Sequence, residues 1–200
     1  MAAGALLIAC GALARELVEI QRRNQWNHLK IECLPAKLHH TPNKIADAVA
    51  KKIEKNRNDY EHIFVAYADC GTGGKLDKVL EKYGAERITG AHCYEFFAGE
   101  SIFSSFSEAE PGTFYLTDFL VRNFDRLVVG SLGLDRHPEL MDLYFGNYER
   151  LVYLAQTRSE KLTRQARKHA AYLGLEYIEH FTGLDPVETI LEEHIVRWQN

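Results

Sequence analysis

Short apolar runs alternate with amphipathic stretches along most of this chain. Ala5-Leu6-Leu7-Ile8-Ala9-Cys10 is apolar throughout, the pattern of a strand covered on both faces. The period then changes: Leu13, Leu17 and Ile20 recur on one helical face with charges between them. A second strand is predicted over Leu29-Lys30-Ile31-Glu32-Cys33-Leu34, and Pro35 breaks the chain after it. Thr41-Pro42 reads as a helix start, with Thr41 as the cap and Pro42 in the first helical position. Ile45, Val49 and Ile53 carry that helix's buried stripe. A third strand over about residues 62–69 leads into Gly71-Thr72-Gly73-Gly74 and a helix with Leu76, Val79 and Leu80 inward, stopped by Gly84. A fourth strand is predicted to end at His92-Cys93.

Residues 94–149 break the rhythm. They are rich in aromatics and read as a mostly helical insert, because Leu116, Phe119, Leu120, Leu127 and Val128 keep helical spacing. Turn signals stand at Pro111-Gly112 and across Gly133-Leu134-Asp135-Arg136-His137-Pro138. The alternation resumes with a strand over 151–156, a helix over about 159–173, Gly174, a strand near 175–181 and a last helix opened by Asp185-Pro186. Such βα alternation predicts a parallel sheet with helices on both faces. The expected architecture is a single α/β domain over residues 1–200, three-layered and Rossmann-like, with a mostly parallel sheet and the helical insert between its fourth and fifth strands.

Composition narrows the function classes. With 200 residues the chain can bury a core without disulfide staples. A net charge of -4 and no Lys/Arg run argue against a nucleic-acid partner. No apolar run is long enough to span a membrane. The four cysteines are dispersed and form no CxxC pair, unlike a secreted disulfide framework. Leu7-Ile8-Ala9-Cys10 resembles a lipoprotein cleavage box, but it lacks the basic segment and long apolar stretch of an export signal. A cytoplasmic, reducing setting is therefore expected.

Three cysteines share one kind of position. Cys10, Cys70 and Cys93 each end a predicted strand, where parallel sheets bind their ligands. Three thiolates meeting there would suit zinc or an iron–sulfur cluster. His39 lies at the same predicted edge, and His92 adjoins Cys93, so either is a candidate fourth ligand. Neighbours on a strand point to opposite faces, so His92 and Cys93 could share an ion only across a bend. Cys33, inside the second strand, reads as a small core hydrophobe. Asp69-Cys70-Gly71-Thr72-Gly73-Gly74 is either a phosphate cradle or a tight strand-to-helix turn with no ligand. Its spacing matches neither GxxxxGK[ST] nor GxGxxG. Cys70 before that turn is also a candidate nucleophile, with Asp69 or a nearby His orienting or deprotonating it. Glu95 is an acid/base candidate or a charge at a helix start. Arg136 and His137 in a polar loop, and Gln156 at a strand end, are candidates for binding a small-molecule substrate or cofactor.

Ala9-Cys10-Gly11-Ala12-Leu13, Leu38-His39 with Pro42, Asp69 through Gly74 with Leu76-Asp77, and His92-Cys93-Tyr94-Glu95 resemble the signature blocks of a prokaryotic family known as domain of unknown function 1638. So do Leu132-Gly133-Leu134-Asp135-Arg136-His137-Pro138-Glu139-Leu140, Tyr144-Phe145-Gly146-Asn147-Tyr148 and Leu154-Ala155-Gln156-Thr157. The resemblance spans nearly the whole chain. It implies a setting among corrinoid proteins and methyltransferases and supplies no catalytic residues. Three readings follow. The first is a metalloprotein holding zinc or an iron–sulfur centre on Cys10, Cys70 and Cys93 in corrinoid-linked methyl transfer. Asp69, Glu95 and the glycine turn would then shape the surroundings or bind substrate. The second is a non-catalytic accessory protein binding a corrinoid protein or its cofactor. The third is a metal-free thiol enzyme using Cys70. Substrate and oligomeric state stay open.

Overall fold

The computed structural model describes residues 4–197. In chain order the first elements are β1 (Ala5–Cys10), α1 (Ala14–Arg23), β2 (Leu29–Leu34), α2 (Ile45–Asn56), β3 (His62–Ala66), α3 (Lys75–Tyr83), β4 (Glu86–Arg87) and α4 (Cys93–Ala98). They are followed by α5 (Glu100–Ala109), β5 (Thr113–Thr117), α6 (Asp118–Arg122), α7 (Gly130–Leu132), α8 (Met141–Phe145), β6 (Arg150–Ala155), α9 (Glu160–Leu173), β7 (Glu176–Phe181) and α10 (Asp185–Arg197). A π-helical turn, Asp125–Val129, precedes α7. This is the mixed α/β, Rossmann-like arrangement that the alternation implies. Two compact units are formed, one running to Phe96 and resuming at Leu184, the other Phe97–Gly183. Each contains its own parallel sheet. Periodicity specifies that strands are parallel; it does not say which of them pair.

The first unit holds a four-stranded sheet ordered β2-β1-β3-β4. β1 pairs on both sides, and all six of its residues are buried, which is why it is apolar from end to end. β2 is an edge strand, so Cys33 is exposed there and does not serve the core as its sequence context suggests. The helical stripes fall where the pattern puts them. Leu13, Leu17 and Ile20 are buried, as are Ile45, Val49 and Ile53, and Leu76 and Leu80, while Val79 is only half-buried. Gly84 ends α3 in the left-handed conformation, φ 61°, and its N–H returns to the carbonyls of Leu80 and Glu81. Thr41 makes no side-chain cap. Pro42 opens a short 3-10 turn, Pro42–Lys44, and α2 starts after it.

The fourth strand is shorter than its sequence suggests. β4 has two residues, paired to Phe64 and Val65, and Cys93 begins α4 rather than ending a strand. The intervening Ile88–His92 segment runs as a loop fastened to the end of β3. Ile88 N–H donates to Val65 O (3.2 Å), Asp69 N–H to Gly90 O (3.1 Å) and Cys70 N–H to Ala91 O (2.9 Å).

The second unit holds the sheet β5-β6-β7. The segment read as a helical insert thus contributes a strand of its own, β5, with Leu116 inside it. Thr113-Phe114-Tyr115-Leu116-Thr117 is a β-branched and aromatic run directly after Pro111-Gly112, a strand signal masked by the helical spacing of Leu116, Phe119 and Leu120. α9 begins and ends as expected: Ser159 Oγ accepts from Leu162 N–H, and Gly174 closes it at φ 72°.

At the junction of β5 and α6 sits Asp118, fully buried. Its Oδ1 accepts from Tyr153 Oη (2.6 Å) and Gln156 N–H (3.1 Å), and its Oδ2 from Thr157 Oγ1 (2.5 Å) and Arg122 Nη2 (3.3 Å). Gln156 completes the network, accepting from Asp118 N–H and donating to Leu154 O. Burial, then Asp118, pushes the Tyr153 phenol upward, so it stays protonated as a donor. A buried carboxylate with this many donors is costly to delete, because every donor is then stranded. Asp118→Ala is expected to cost roughly 3–5 kcal/mol in urea unfolding, against about 1 kcal/mol for Tyr153→Phe. A loss at Asp118 no larger than at Tyr153 would show that the network does not anchor this unit.

Candidate functional site

The cysteines meet at the carboxyl edge of the first unit's sheet. β1 and β3 run in register to Ala9 and Ala66, so their next residues, Cys10 and Tyr67, are neighbours past the end of the ladder. Three residues on, Cys70 turns the chain with a φ of 48°, a left-handed conformation that residues other than glycine adopt at some cost. The Ile88–His92 loop returns alongside and delivers Cys93. The result is Cys70 Sγ and Cys93 Sγ in contact at 3.2 Å. All the cysteines are free thiols. Cys10 and Cys70 are buried and Cys93 is partly so.

The sulfurs differ electrically. The Cys93 thiol and the backbone N–H groups of Cys93 and Ala68 favour the Cys70 thiolate and hold its pKa below the ordinary value against the opposing effect of burial. Cys93 is pushed well up, first as the hydrogen-bond partner of Cys70 and then by burial. Of the two, Cys70 is the readier to lose its proton. Burial raises Cys10, opposed by the Ala12 N–H and the Tyr67 hydroxyl, and Cys10 lies within electrostatic reach of both other sulfurs. Tyr67 is 1% exposed, and its hydroxyl lies beside the Cys10 thiol, with Cys93 and Cys70 also within electrostatic reach.

The glycine turn is occupied by its own aspartate. Asp69 Oδ1 accepts from Thr72 Oγ1 (2.6 Å) and Gly74 N–H (3.0 Å), and Oδ2 from Gly73 N–H (3.2 Å). Gly71, Gly73 and Gly74 take φ values of 81°, 60° and 77°, which explains why the turn needs glycine. The Gly73 and Gly74 amides thus hold a carboxylate of the same chain, and Asp69 acts as the clasp of the loop. A Cβ on Gly71 would stand 3.4 Å from Pro42, so the 36–44 segment lies against the same turn. Glu95, in the first turn of α4, lays its carboxylate over Gly90.

The remaining candidates are distributed as follows. His39 reaches the surface, but crowding strips enough water from its ring to hold the pKa low, and the nearby His40 and His92 add to this. His92 is exposed. Among the described residues no group of three or more His, Cys, Asp or Glu is arranged to hold a metal ion, so neither histidine joins the sulfurs as a ready-made ligand. Arg136, His137 and Gln156 belong to the second unit. Arg136 pairs with Asp135 (3.8 Å) and His137 with Glu139 (3.1 Å) on the surface. Gln156 is committed to the Asp118 network. Sequence reasoning missed Tyr67 and Asp118. Asp118 directly follows the β-branched run of β5, and that acidic residue at a strand-to-helix junction was the available signal.

The clasp makes a pH prediction. Hydrogen bonds from Thr72 and the Gly74 and Gly73 amides lower the Asp69 carboxyl from 3.8 to about 2. A depressed carboxyl stabilises the fold above its unfolded value and loses that contribution as pH falls through the folded one. Asp69→Asn is therefore expected to lessen the loss of stability between 3.8 and about 2, read as urea midpoints across that window. Identical acid profiles for variant and parent would contradict the clasp.

Comparison with known proteins gives one result of substance. The model of the family described as "Protein of unknown function (DUF1638)" matches residues 33–191, a span that includes Cys70 and Cys93 and leaves Cys10 outside. No curated protein matches the chain. With most of its length covered, including the glycine turn and the paired thiols, the chain belongs to the DUF1638 family.

Proposed function

We propose that the chain is a cysteine-ligated metalloprotein, holding zinc or an iron–sulfur centre on Cys10, Cys70 and Cys93, and that it serves corrinoid-linked methyl transfer. The observation that carries the metal reading is the 3.2 Å contact between the free thiols of Cys70 and Cys93, with Cys10 in electrostatic reach. Backbone N–H groups are directed at each of the three sulfurs. Such donors favour thiolates, the form that binds metal. Three protein thiolates leave a fourth position on a tetrahedral ion, to be filled by His39, His92 or substrate. When bound there, a zinc ion lowers the pKa of a substrate thiol or polarises a leaving group. The corrinoid setting, with a corrinoid protein or methyltransferase as partner, is supported by the family resemblance.

A second reading has its own observation. Cys70 alone among the three sulfurs is held below the ordinary thiol pKa, as a metal-free nucleophile would be. Cys93 is then the donor that activates it.

Anaerobic purification followed by metal analysis separates the two. About one centre per chain is expected after loading with zinc, or with ferrous iron and sulfide. Cys10→Ser, Cys70→Ser and Cys93→Ser should lose it and Cys33→Ser should keep it. Protein that takes up neither metal, and whose thiol labelling is unchanged by loading, would overturn the metal reading. The thiol reading predicts that Cys93→Ser moves the pH midpoint of Cys70 alkylation upward, because the activating donor is weakened. An unmoved midpoint would remove Cys93 from that role.

A further inference from the structure

Cys70 stands where the backbone favours glycine. Its φ is 48°, in the left-handed region, and Gly71, Gly73 and Gly74 take φ values of 81°, 60° and 77° in the same turn. Among the described residues only Gln25 and Cys70 adopt a positive φ while carrying a Cβ. A glycine at position 70 would relieve that strain, so the turn retains a sulfur that its conformation disfavours. The facing segment is held to the same point. Asp69 N–H donates to Gly90 O (3.1 Å) and Cys70 N–H to Ala91 O (2.9 Å), beyond the last pair of β3 and β4, Val65 with Arg87. These bonds fix the register in which Cys70 Sγ and Cys93 Sγ meet at 3.2 Å, both as free thiols. A disulfide needs its sulfurs at about 2 Å, so closure asks for a shift of roughly 1 Å. Cys93 opens α4 directly after the Ile88–His92 loop, outside any strand ladder, where such a shift disturbs no sheet pairing.

We propose that Cys70 and Cys93 are a reversible dithiol–disulfide couple, closed by a hydroperoxide and reopened by a thiol reductant. Access selects the oxidant. Cys70 is 4% exposed and Cys93 half-buried; a small peroxide needs little room, whereas exchange with a bulky disulfide needs an open approach to the sulfur. In the first step one sulfur, as thiolate, attacks an oxygen of hydrogen peroxide. The O–O bond breaks, hydroxide leaves and is protonated to water, and the sulfur becomes a sulfenic acid. In the second step the partner thiol attacks that sulfur and the S–O bond breaks. The departing hydroxide takes the attacking thiol's proton, leaving a second water and the disulfide. Two electrons thus pass from the sulfurs to the peroxide, and a thiol reductant returns them by exchange. The couple needs neither metal nor substrate, so it goes beyond both readings above. Once closed, it offers no thiolate to a metal and no nucleophile at Cys70, and the site is switched off under either.

The test exposes full-length, metal-free protein, held in a chelator, to hydrogen peroxide and then to dithiothreitol. The folded chain is expected to lose two labelable thiols and two hydrogens in mass, and dithiothreitol should restore both. Trypsin cuts between the cysteines at Lys75, Lys78, Lys82 and Arg87, so the link reads as a joined pair of peptides carrying Cys70 and Cys93. Cys33→Ser, which removes the exposed thiol, should give the same product. Chain unfolded in urea should give about tenfold less of it, because folding rather than sequence provides the proximity. Four outcomes overturn the inference: no oxidation; a link made mainly through Cys10 or Cys33; sulfinic acid with no link; or equal yields from folded and unfolded chain. A link formed with oxidised glutathione but not with peroxide overturns it as well. No readout involves a metal, so failure of the metal reading does not decide this one.

Discussion

The candidate site depends on three backbone hydrogen bonds that hold the Ile88–His92 loop against the end of β3. β4 stops after two residues, yet Ile88, Asp69 and Cys70 continue the lacing through Val65, Gly90 and Ala91. This lets the chain stay beside β3 while leaving the sheet. The departure is what turns Cys93 toward Cys70. Had the strand continued through Cys93, the fixed alternation of side chains would have decided which face its sulfur took. The helix start at Cys93 gives that residue a direction that no strand register would supply.

On the other side of the contact, the chain accepts a local cost. Cys70 is held at a φ of 48°, and a left-handed residue with a Cβ persists where its surroundings over-determine it. Those surroundings are identifiable. Asp69 is clasped by Thr72, Gly73 and Gly74, and the Cys70 N–H is fastened to Ala91. The glycines that look like an anion cradle serve to close the turn on an internal carboxylate. Their chemistry is the one the sequence advertises, amides gathered around a negative charge; the charge is the chain's own.

Much of the fold was legible because burial writes itself as periodicity. β1 reads as apolar throughout because it is paired on both sides, and α2 shows its stripe because one face is covered. β5 was hidden because Leu116, Phe119 and Leu120 mimic a helical face across a strand-to-helix junction. The sheet pairing was not legible, since each strand's pattern reports its own burial and not its neighbour. The sulfur site was half legible. Strand ends at Cys10 and near Cys70 follow from local pattern, but the route of Cys93 depends on backbone lacing that side chains do not encode. The clasping role of Asp69 needed the turn's geometry, and Cys33 was misread because the pattern of its strand does not say that it lies at a sheet edge.

Buried polar groups separate architecture from chemistry in this chain. Asp118 is sealed and fully employed: four donors reach its two oxygens, from the end of α6, from β6 and from the two residues that follow β6. Such a group explains itself as a fastening, since it leaves nothing over for a ligand. Tyr67 is sealed as completely, and it lies at the edge where free thiols gather, its hydroxyl beside Cys10.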